Sequence, residues 1–480
     1  MKKMQITTYD QAVENIMNIP KFTTKNTMED TRRFLHRLGD PDKELRILHV
    51  AGTNGKGSVC AYLRSVLKAA GRRVAVFTSP HLVDVRERFV IDGEMIDREA
   101  FLAAFIQVYE QLDWQSLTAG EGYHPTFFEY LFFMAMLAFA QAKPDYCILE
   151  TGLGGRLDAT NAVAHKEIAV ITHMGLDHVE YLGHTLTAIA GEKAGIIQEG
   201  VPVVYADTCQ EVGQVIRDRA QFLSADAYAV SRIDYRISKI SNKNIAFSYI
   251  SRYYGSVSLT LPTFARYQVE NCSLALRALE VLAERERQQA ADESDAWAHA
   301  QANTREKALL QLTPELMEQG VSACFWPGRM EEVLPEVFVD GAHNEDGVKA
   351  FLESVAEDGH RGSRHLLFAV VADKDYAAML RWIVESGLFD RLSITCLDNK
   401  RAVALDCLKQ VLAEYPDIPV TQYETVSGAL EAMLSKQASG EAMSQELQRF
   451  PELQTSHERI YIVGSLYLVG EVKAALQSRI

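Results

Sequence analysis

The stretch His49 to Leu63, "HVAGTNGKGSVCAYL", sets three glycines, a lysine and a hydroxyl between an apolar run and a helical pattern. That arrangement can hold phosphate. Gly52, Gly55 and Gly57 carry no side chain, so backbone N–H groups can approach phosphate oxygens closely, and Lys56 supplies a point charge. The loop departs from the common G-x-x-x-x-G-K-[ST] form, because Val50 stands where a glycine is usual and Gly57 where a hydroxyl is usual. The hydroxyl that would bind Mg²⁺ must therefore come one residue later, from Ser58. The alternative is an ordinary glycine-rich turn from strand to helix, but glycines, lysine and hydroxyl together favour a nucleotide loop.

Other chemistry-bearing residues follow apolar runs. Glu150 ends "DYCILE" before the glycine-rich turn "TGLGGRLDATN", where an acid can hold the magnesium of a nucleotide or can simply face solvent. Asp177 and His178 follow "EIAVITH" and would emerge at the same sheet edge. Histidine is an unusual magnesium ligand, so for His178 metal binding and plain hydrogen bonding both stay open. Lys193, in "AIAGEKAGII", reads on its own as a snorkelling surface residue on a helix leading away from that edge. Farther on, "DGAHN" (Asp340 to Asn344) is either a structural turn or a site loop, and Arg329 in "PGR" could reach phosphates from across a cleft.

These residues need a scaffold that brings strand ends together. Apolar runs alternate with helical stretches, which predicts an α/β fold with a parallel-rich sheet covered on both faces, and ligands then bind beyond the carboxyl ends of the strands. In the first part the runs are "LRILHV", "RRVAVFTS", "DYCILE", "EIAVITH" and "VPVVYA". A β-rich piece, "YRISKISNKNIAFSYISRYYGSVSLTL", precedes the helix "QVENCSLALRALEVLAERE". The alternation restarts in "VFVDGAHN", "RHLLFAVVADKD", "DRLSITCLDN" and "RIYIVGS". We expect a phosphate-loop domain over 1–320 and a smaller Rossmann-like domain over 325–480, with a charged, Ala- and Gln-rich insertion at about 284–307 that is an exposed helix or a mobile segment.

Composition narrows the partners. A chain of 480 residues is too long for one core. A formal charge of −15 argues against non-specific nucleic-acid binding. Seven cysteines without a C-x-x-C pattern argue for a reducing compartment and against a zinc site. The N-terminal stretch shows no secretory pattern, and the most apolar run, Thr126 to Ala142, is short for a span and contains Glu129. We expect a cytoplasmic monomer without nucleic-acid or membrane partners.

Together the pieces resemble the folylpolyglutamate synthase and dihydrofolate synthase family, relatives of the Mur amide ligases. The matching segments run along nearly the whole chain in order: "GTNGKGS", "TSPHL", "FFE", "LETGLGGRLDATN", "LDH", "GEKAGI", "WPGR", "DGAHN", "DKD" and "GSLYLVGEV". The resemblance implies an ATP-dependent ligase. A substrate carboxylate takes the γ-phosphate of ATP, and the amine of L-glutamate converts the acyl phosphate to an amide. Tetrahydrofolates and dihydropteroate are the implied acceptors, with polyglutamylation alone, or a related cell-wall ligase, as alternatives. A nucleotide switch without ligase chemistry is a reading from another class.

The resemblance also assigns residues. Gly52, Thr53, Asn54, Gly55, Lys56, Gly57, Ser58, Asn271, Arg329, Asp340 and His343 would contact ATP. Ser58, Glu150 and His178 would hold two magnesium ions. Lys193 matches a position at which relatives carry a carbamylated lysine, and with Lys56 and His178 it would form the catalytic set. Ser79, Pro80, His81 and Arg88 would belong to a mobile loop over the pterin, with Phe128 and Glu129 nearby. Relatives often carry His-Gln before the helix of that Asn, whereas this chain has Tyr267-Gln268, so contacts on the adenine side are expected to differ.

Overall fold

Five of the apolar runs pair as neighbours in one sheet of the computed structural model, which describes residues 4–19, 26–119, 122–241, 243–297, 309–435 and 458–477. This first sheet contains β1 (Ile47–Ala51), β2 (Val74–Phe77), β3 (Phe89–Ile91), β4 (Glu94–Met95), β5 (Tyr146–Glu150), β6 (Ile168–Ile171), β7 (Val203–Ala206) and β8 (Ala227–Val230). Their order is β4-β3-β2-β5-β1-β6-β7-β8, and only the β2–β3 and β3–β4 pairings are antiparallel. The central strands are buried along their whole length, as expected where helices cover both faces. Because β1, β5 and β6 are parallel neighbours, the phosphate loop, Glu150 and the segment from Thr172 to His178 leave the sheet at one edge.

The helix Phe127–Ala142 lies within the core, with Tyr130 through Met136 fully buried. Thr126 caps it, and Glu129 closes the capping box. The β-rich piece forms an antiparallel sheet of β9 (Tyr235–Ile240), β10 (Ile245–Ser251) and β11 (Gly255–Leu261). It packs with the helix Tyr267–Trp297 and the helix Lys56–Ala69 in one apolar cluster.

The third sheet is built from β12 (Glu331–Leu334), β13 (Val337–Asp340), β14 (Arg364–Phe368), β15 (Arg391–Thr395), β16 (Val420–Tyr423) and β17 (Arg459–Val463). Its order is β12-β13-β17-β14-β15-β16, parallel except at β12. Asp340 is the last residue of β13 and so stands at the carboxyl edge of this sheet. Among the described residues no helix is long and apolar enough to cross a membrane.

The insertion expected at about 284–307 as an exposed helix or a mobile segment begins as helix, but not as a fully exposed one. The long helix continues to Trp297, and Glu286 is buried. Its carboxylate pairs with Arg46 at 2.6 Å, accepts from Tyr146 Oη and accepts the Leu310 N–H at 2.8 Å. The first residues of that stretch are thus anchored to the first sheet, and residues 298–308 lie outside the described part.

Candidate active site

The phosphate loop is shaped by what stands against its glycines. Gly55 adopts φ +90° and a Cβ there would sit 2.2 Å from Asn271 Oδ1. A Cβ on Gly57 would sit 2.7 Å from the Trp326 ring. No hydroxyl-bearing side chain fits at Gly57, which accounts for the move of the hydroxyl to Ser58. Ser58 is buried, and its Oγ accepts from Gln268 Nε2 at 3.1 Å. The helix starts at Lys56, so its first N–H groups have no partner within the helix and are available to phosphate.

Cations gather beneath the loop. Lys56 Nζ donates to Gly52 O at 3.1 Å and Thr53 O at 3.2 Å. Lys193 is only 4% exposed, which removes the snorkelling reading. Its helix, Leu186–Ala194, turns it inward, and Nζ donates to the same Gly52 O at 2.7 Å. Burial pushes the Lys193 amine down to about 7, and the charge of Lys56 adds to that.

Glu150 is 3% exposed and accepts one backbone N–H, from Ser79, at 3.0 Å. Burial raises its carboxyl, opposed by Lys56, that hydrogen bond, Arg329 and Arg88. It makes no ion pair among the described residues, so a buried carboxylate beside a phosphate loop has room for a cation. His178 has φ +51° at the start of a short helix. Its side chain is 40% exposed, yet partial desolvation, with the charges of Lys374 and Lys56 set against that of Asp177, lowers the imidazole, so it is neutral near pH 7 and can offer a lone pair. Asp177 beside it is held well below the carboxylate range: burial opposes this, but the hydrogen bond and charge of His343 and the charge of Lys374 prevail.

The third sheet closes on this edge. Lys374 Nζ meets Asp177 Oδ1 at 2.5 Å, His343 Nε2 lies 3.6 Å from Asp177 Oδ2, and Asn344 bonds both Asp177 and Asn54. His343 Nδ1 donates to Gly341 O at 2.8 Å, which leaves Nε2 facing the cleft. Met330 N–H and Ala342 N–H donate to Asp340, and Gly341 N–H donates to Gly328 O, so Arg329 and Asp340 are carried by one tied pair of loops. Beside them is a cavity of about 240 Å³ lined by Tyr62, Phe264, Gln268, Trp326, Arg329 and Met330, among others.

On the other side of Glu150, Arg88 is buried, donates to His81 Nδ1 at 2.8 Å and lies over the Phe127 ring. Burial lowers its guanidinium to about 10, still charged at neutral pH. Ser79 and Pro80 form the start of this loop. Its Leu82 carbonyl lies 2.3 Å from where a Cβ on Gly470 would stand, so the loop also abuts the last helix, Leu466–Gln477.

Residues 50–279 match the Mur ligase middle domain family. Dihydrofolate synthase/folylpolyglutamate synthase of Bacillus subtilis (strain 168) is 31% identical over 98% of this chain and 100% of its own length. The chain belongs to the folylpolyglutamate synthase/dihydrofolate synthase family. Folylpolyglutamate synthase of Lacticaseibacillus casei is 29% identical over 98% of both chains. The solved Mycobacterium tuberculosis folylpolyglutamate synthase complexed with ADP aligns with a TM-score of 0.81 at 26% identity over 97% of both chains. E. coli FolC in complex with DHPP and ADP aligns with a TM-score of 0.75 at 26% identity over 98% of both.

In this member of the folylpolyglutamate synthase family, the residues expected at the ATP and metal sites from the first sheet share one edge. Ser58, Glu150 and His178 do not bond one another; each has its own partner, Gln268, Ser79 and Asp177 respectively. Among the described residues no three His, Cys, Asp or Glu side chains form a ready metal cage. Magnesium does not demand one, since it keeps several waters and shares its shell with substrate phosphates. Phe128 borders the turn after Glu150, where a Cβ on Gly152 would lie 2.7 Å from its ring. Glu129 is engaged otherwise, with Asn26 at 2.6 Å, Thr31 at 3.2 Å and the Thr126 N–H at 2.8 Å. Its carboxylate fixes the entry of the helix that carries Phe128. Three residues of the cleft were missing from the sequence-derived set. Lys374 stands in the quoted "DKD", Asn344 in "DGAHN" and Trp326 in "WPGR", but only the folded contacts single them out.

Proposed function

We propose that this chain is an ATP-dependent ligase that joins the amine of L-glutamate to a carboxylate of a folate, and that it acts on dihydropteroate as well as on tetrahydrofolates. The observation that carries the reading is one cleft in which Lys56, Glu150 and Lys193 at the edge of the first sheet face Asp340, His343 and Lys374 at the edge of the third. Two anions, a carboxylate and a polyphosphate, must meet there, and converging cations lower the cost. The full-length similarity to relatives named for one or both reactions supports the same conclusion.

In the proposed sequence a carboxylate oxygen attacks the γ-phosphorus and ADP leaves. The glutamate nitrogen then attacks the acyl carbon, phosphate leaves and the nitrogen gives up a proton. The N–H groups opening the helix at Lys56 bind phosphate oxygens, while Lys56 leaves its loop carbonyls to follow the β- and γ-phosphates. Arg329, Asp340 and His343 hold the nucleotide from the second domain, and Lys374 adds positive charge near Asp177. Arg88, His81 and the aromatic face of Phe128 receive the folate.

The donors fit magnesium: Ser58 and Glu150 would hold one ion, and Glu150 with neutral His178 a second. Magnesium supplies charge neutralisation on the phosphates when bound. Lys193 is the proposed carbamate, formed when its neutral amine attacks CO₂ and loses a proton; its low amine pKa and burial support that chemistry. We place the domain division at about 320–325, between the elements of the first sheet and those of the third. A cytoplasmic monomer suits seven free cysteines and a cleft made by one chain.

The test is product analysis by mass spectrometry after incubation with ATP, glutamate and either dihydropteroate or tetrahydrofolate. ADP formation that needs both acceptor and glutamate supports the ligase. ADP formation independent of them rejects it in favour of a nucleotide switch.

A further inference from the structure

Tyr267 is the first residue of the helix Tyr267–Trp297, and its hydroxyl donates to Asp340 Oδ2 at 2.5 Å. Asp340 also accepts the Met330 N–H on Oδ2 at 2.9 Å and the Ala342 N–H on Oδ1 at 2.8 Å. Its carboxylate has about four acceptor sites, so one on Oδ1 is left. Burial and the facing Asp340 raise the Tyr267 phenol, so it stays a donor. The ring packs against the core of the second domain, although the helix belongs to the core of the first.

The next residue, Gln268, faces the other way. It donates to Ser58 Oγ at 3.1 Å and accepts from Asn271 at 3.1 Å. One helical turn therefore grips the phosphate loop through Gln268 and the Asp340 loop through Tyr267. Asp340 is tied in turn to the turn bearing Arg329.

We propose that Tyr267 is a positioning residue for ATP, setting the Arg329 and Asp340 half of the nucleotide site at a fixed place relative to the phosphate loop. This gives a role to the Tyr267-Gln268 pair, which stands where relatives often carry His-Gln. A tyrosine reaches farther than histidine and brings a hydroxyl donor to a carboxylate, a charge-assisted bond. The inference rests on the reading of the cleft as an ATP site.

The test measures ADP binding by titration calorimetry on the full chain, for wild type, Tyr267→Phe, Asp340→Asn and the double variant, together with KM for each substrate. Phenylalanine keeps the ring, so the Tm should hold. Tyr267→Phe should weaken ADP binding by about tenfold or more, the lower end of what one lost hydrogen bond to a charged group is worth. KM for ATP should rise by a similar factor, with KM for glutamate unchanged. In the double variant the loss should be no larger than in Asp340→Asn alone, because the two side chains act as a unit. Wild-type ADP affinity in Tyr267→Phe, additive losses, or an equal rise in every KM with a fallen Tm would each overturn the proposal. A wild-type chain that binds no ADP overturns it together with the ligase reading. Tight ADP binding without amide product sinks the folate reading alone, and the comparison of variants still decides the role of Tyr267.

Discussion

Lys193 and Lys56 donate to the same oxygen, the carbonyl of Gly52, at 2.7 and 3.1 Å. Burial makes Lys193 costly to charge, and the repulsion of a second ammonium on the same carbonyl adds to that, so its amine falls to about 7. The unfolded amine titrates near 10.5, so between about 7 and that value the unfolded chain binds the extra proton and the fold gains stability as pH rises. The neutral amine is also the form that reacts with CO₂.

Lys193→Ala should therefore be inactive and be partly rescued by short carboxylic acids that enter the vacated space. In wild type, loading with CO₂ should fall as pH drops through about 7 and the amine becomes protonated. Carbon-13 NMR with labelled bicarbonate reads the carbamate directly. An unmodified Lys193 in a fully working enzyme rejects the modification.

Glu150→Ala and His178→Ala should lose turnover by several kcal/mol of barrier, through lost charge neutralisation on the phosphates. Their folds should persist, since Glu150 is a buried acid with no ion pair among the described residues and His178 is a half-exposed residue outside the core. Thermal unfolding should show no large loss, and the magnesium dependence of ADP formation should be lost or displaced. Near-normal turnover at ordinary magnesium would remove that residue from the metal set.

Much of the scaffold could be read from the chain because strands buried on both faces are continuous apolar runs, as in β1, β5 and β6. The edge strand β16 has exposed residues and no such run, and β12 is a short antiparallel edge, so neither stood out. The phosphate loop is legible because its chemistry is local. Lys193 is not, since its neighbours read as a surface helix and only the motif match drew it in. The pairing of Asp177 with Lys374 spans 197 residues, and no local pattern records it. Glu286 failed for a related reason: a polar stretch hides an acid whose partners are Arg46, just before β1, and Tyr146, the first residue of β5.

That Asp177–Lys374 pair should govern closure. Its side chains are 10% and 8% exposed, so Asp177→Asn leaves a buried ammonium with a weaker partner. A loss of about 3–5 kcal/mol from the domain contact is expected for breaking such a pair. Small-angle scattering should report a more open particle and turnover should drop. Because the Asp177 carboxyl is depressed, its contribution is present above the ordinary carboxylate range and is lost only as pH falls through its own much lower value. Wild type should thus stay closed in mild acid. A scattering profile and turnover unchanged in Asp177→Asn would show that other contacts, such as Asn54 with Asn344, suffice.

The choice of acceptor turns on Phe128. Dihydropteroate and a folate differ in where the reacting carboxylate lies relative to the pterin, by about one glutamyl unit, while the chemistry at ATP is the same. One active site can serve both if the pterin has two resting places. The nearer one is proposed between the loop of Ser79 to Arg88 and the start of the helix Phe127–Ala142. Phe128 stands there against Gly152, two residues past Glu150, and its ring lies 5.6 Å from that of Phe77. It is only partly buried, unlike Tyr130 to Met136, so an aromatic face remains for a flat ring. Phe128→Ala should then impair formation of dihydrofolate from dihydropteroate by more than it impairs tetrahydrofolate extension, by about tenfold if one stacking contact of 1–1.5 kcal/mol is lost. Steady-state assays with the two acceptors, on the same preparation, give the ratio. Equal losses would assign Phe128 to packing. If wild type extends tetrahydrofolate readily and yields no dihydrofolate, the enzyme is a polyglutamate synthase only.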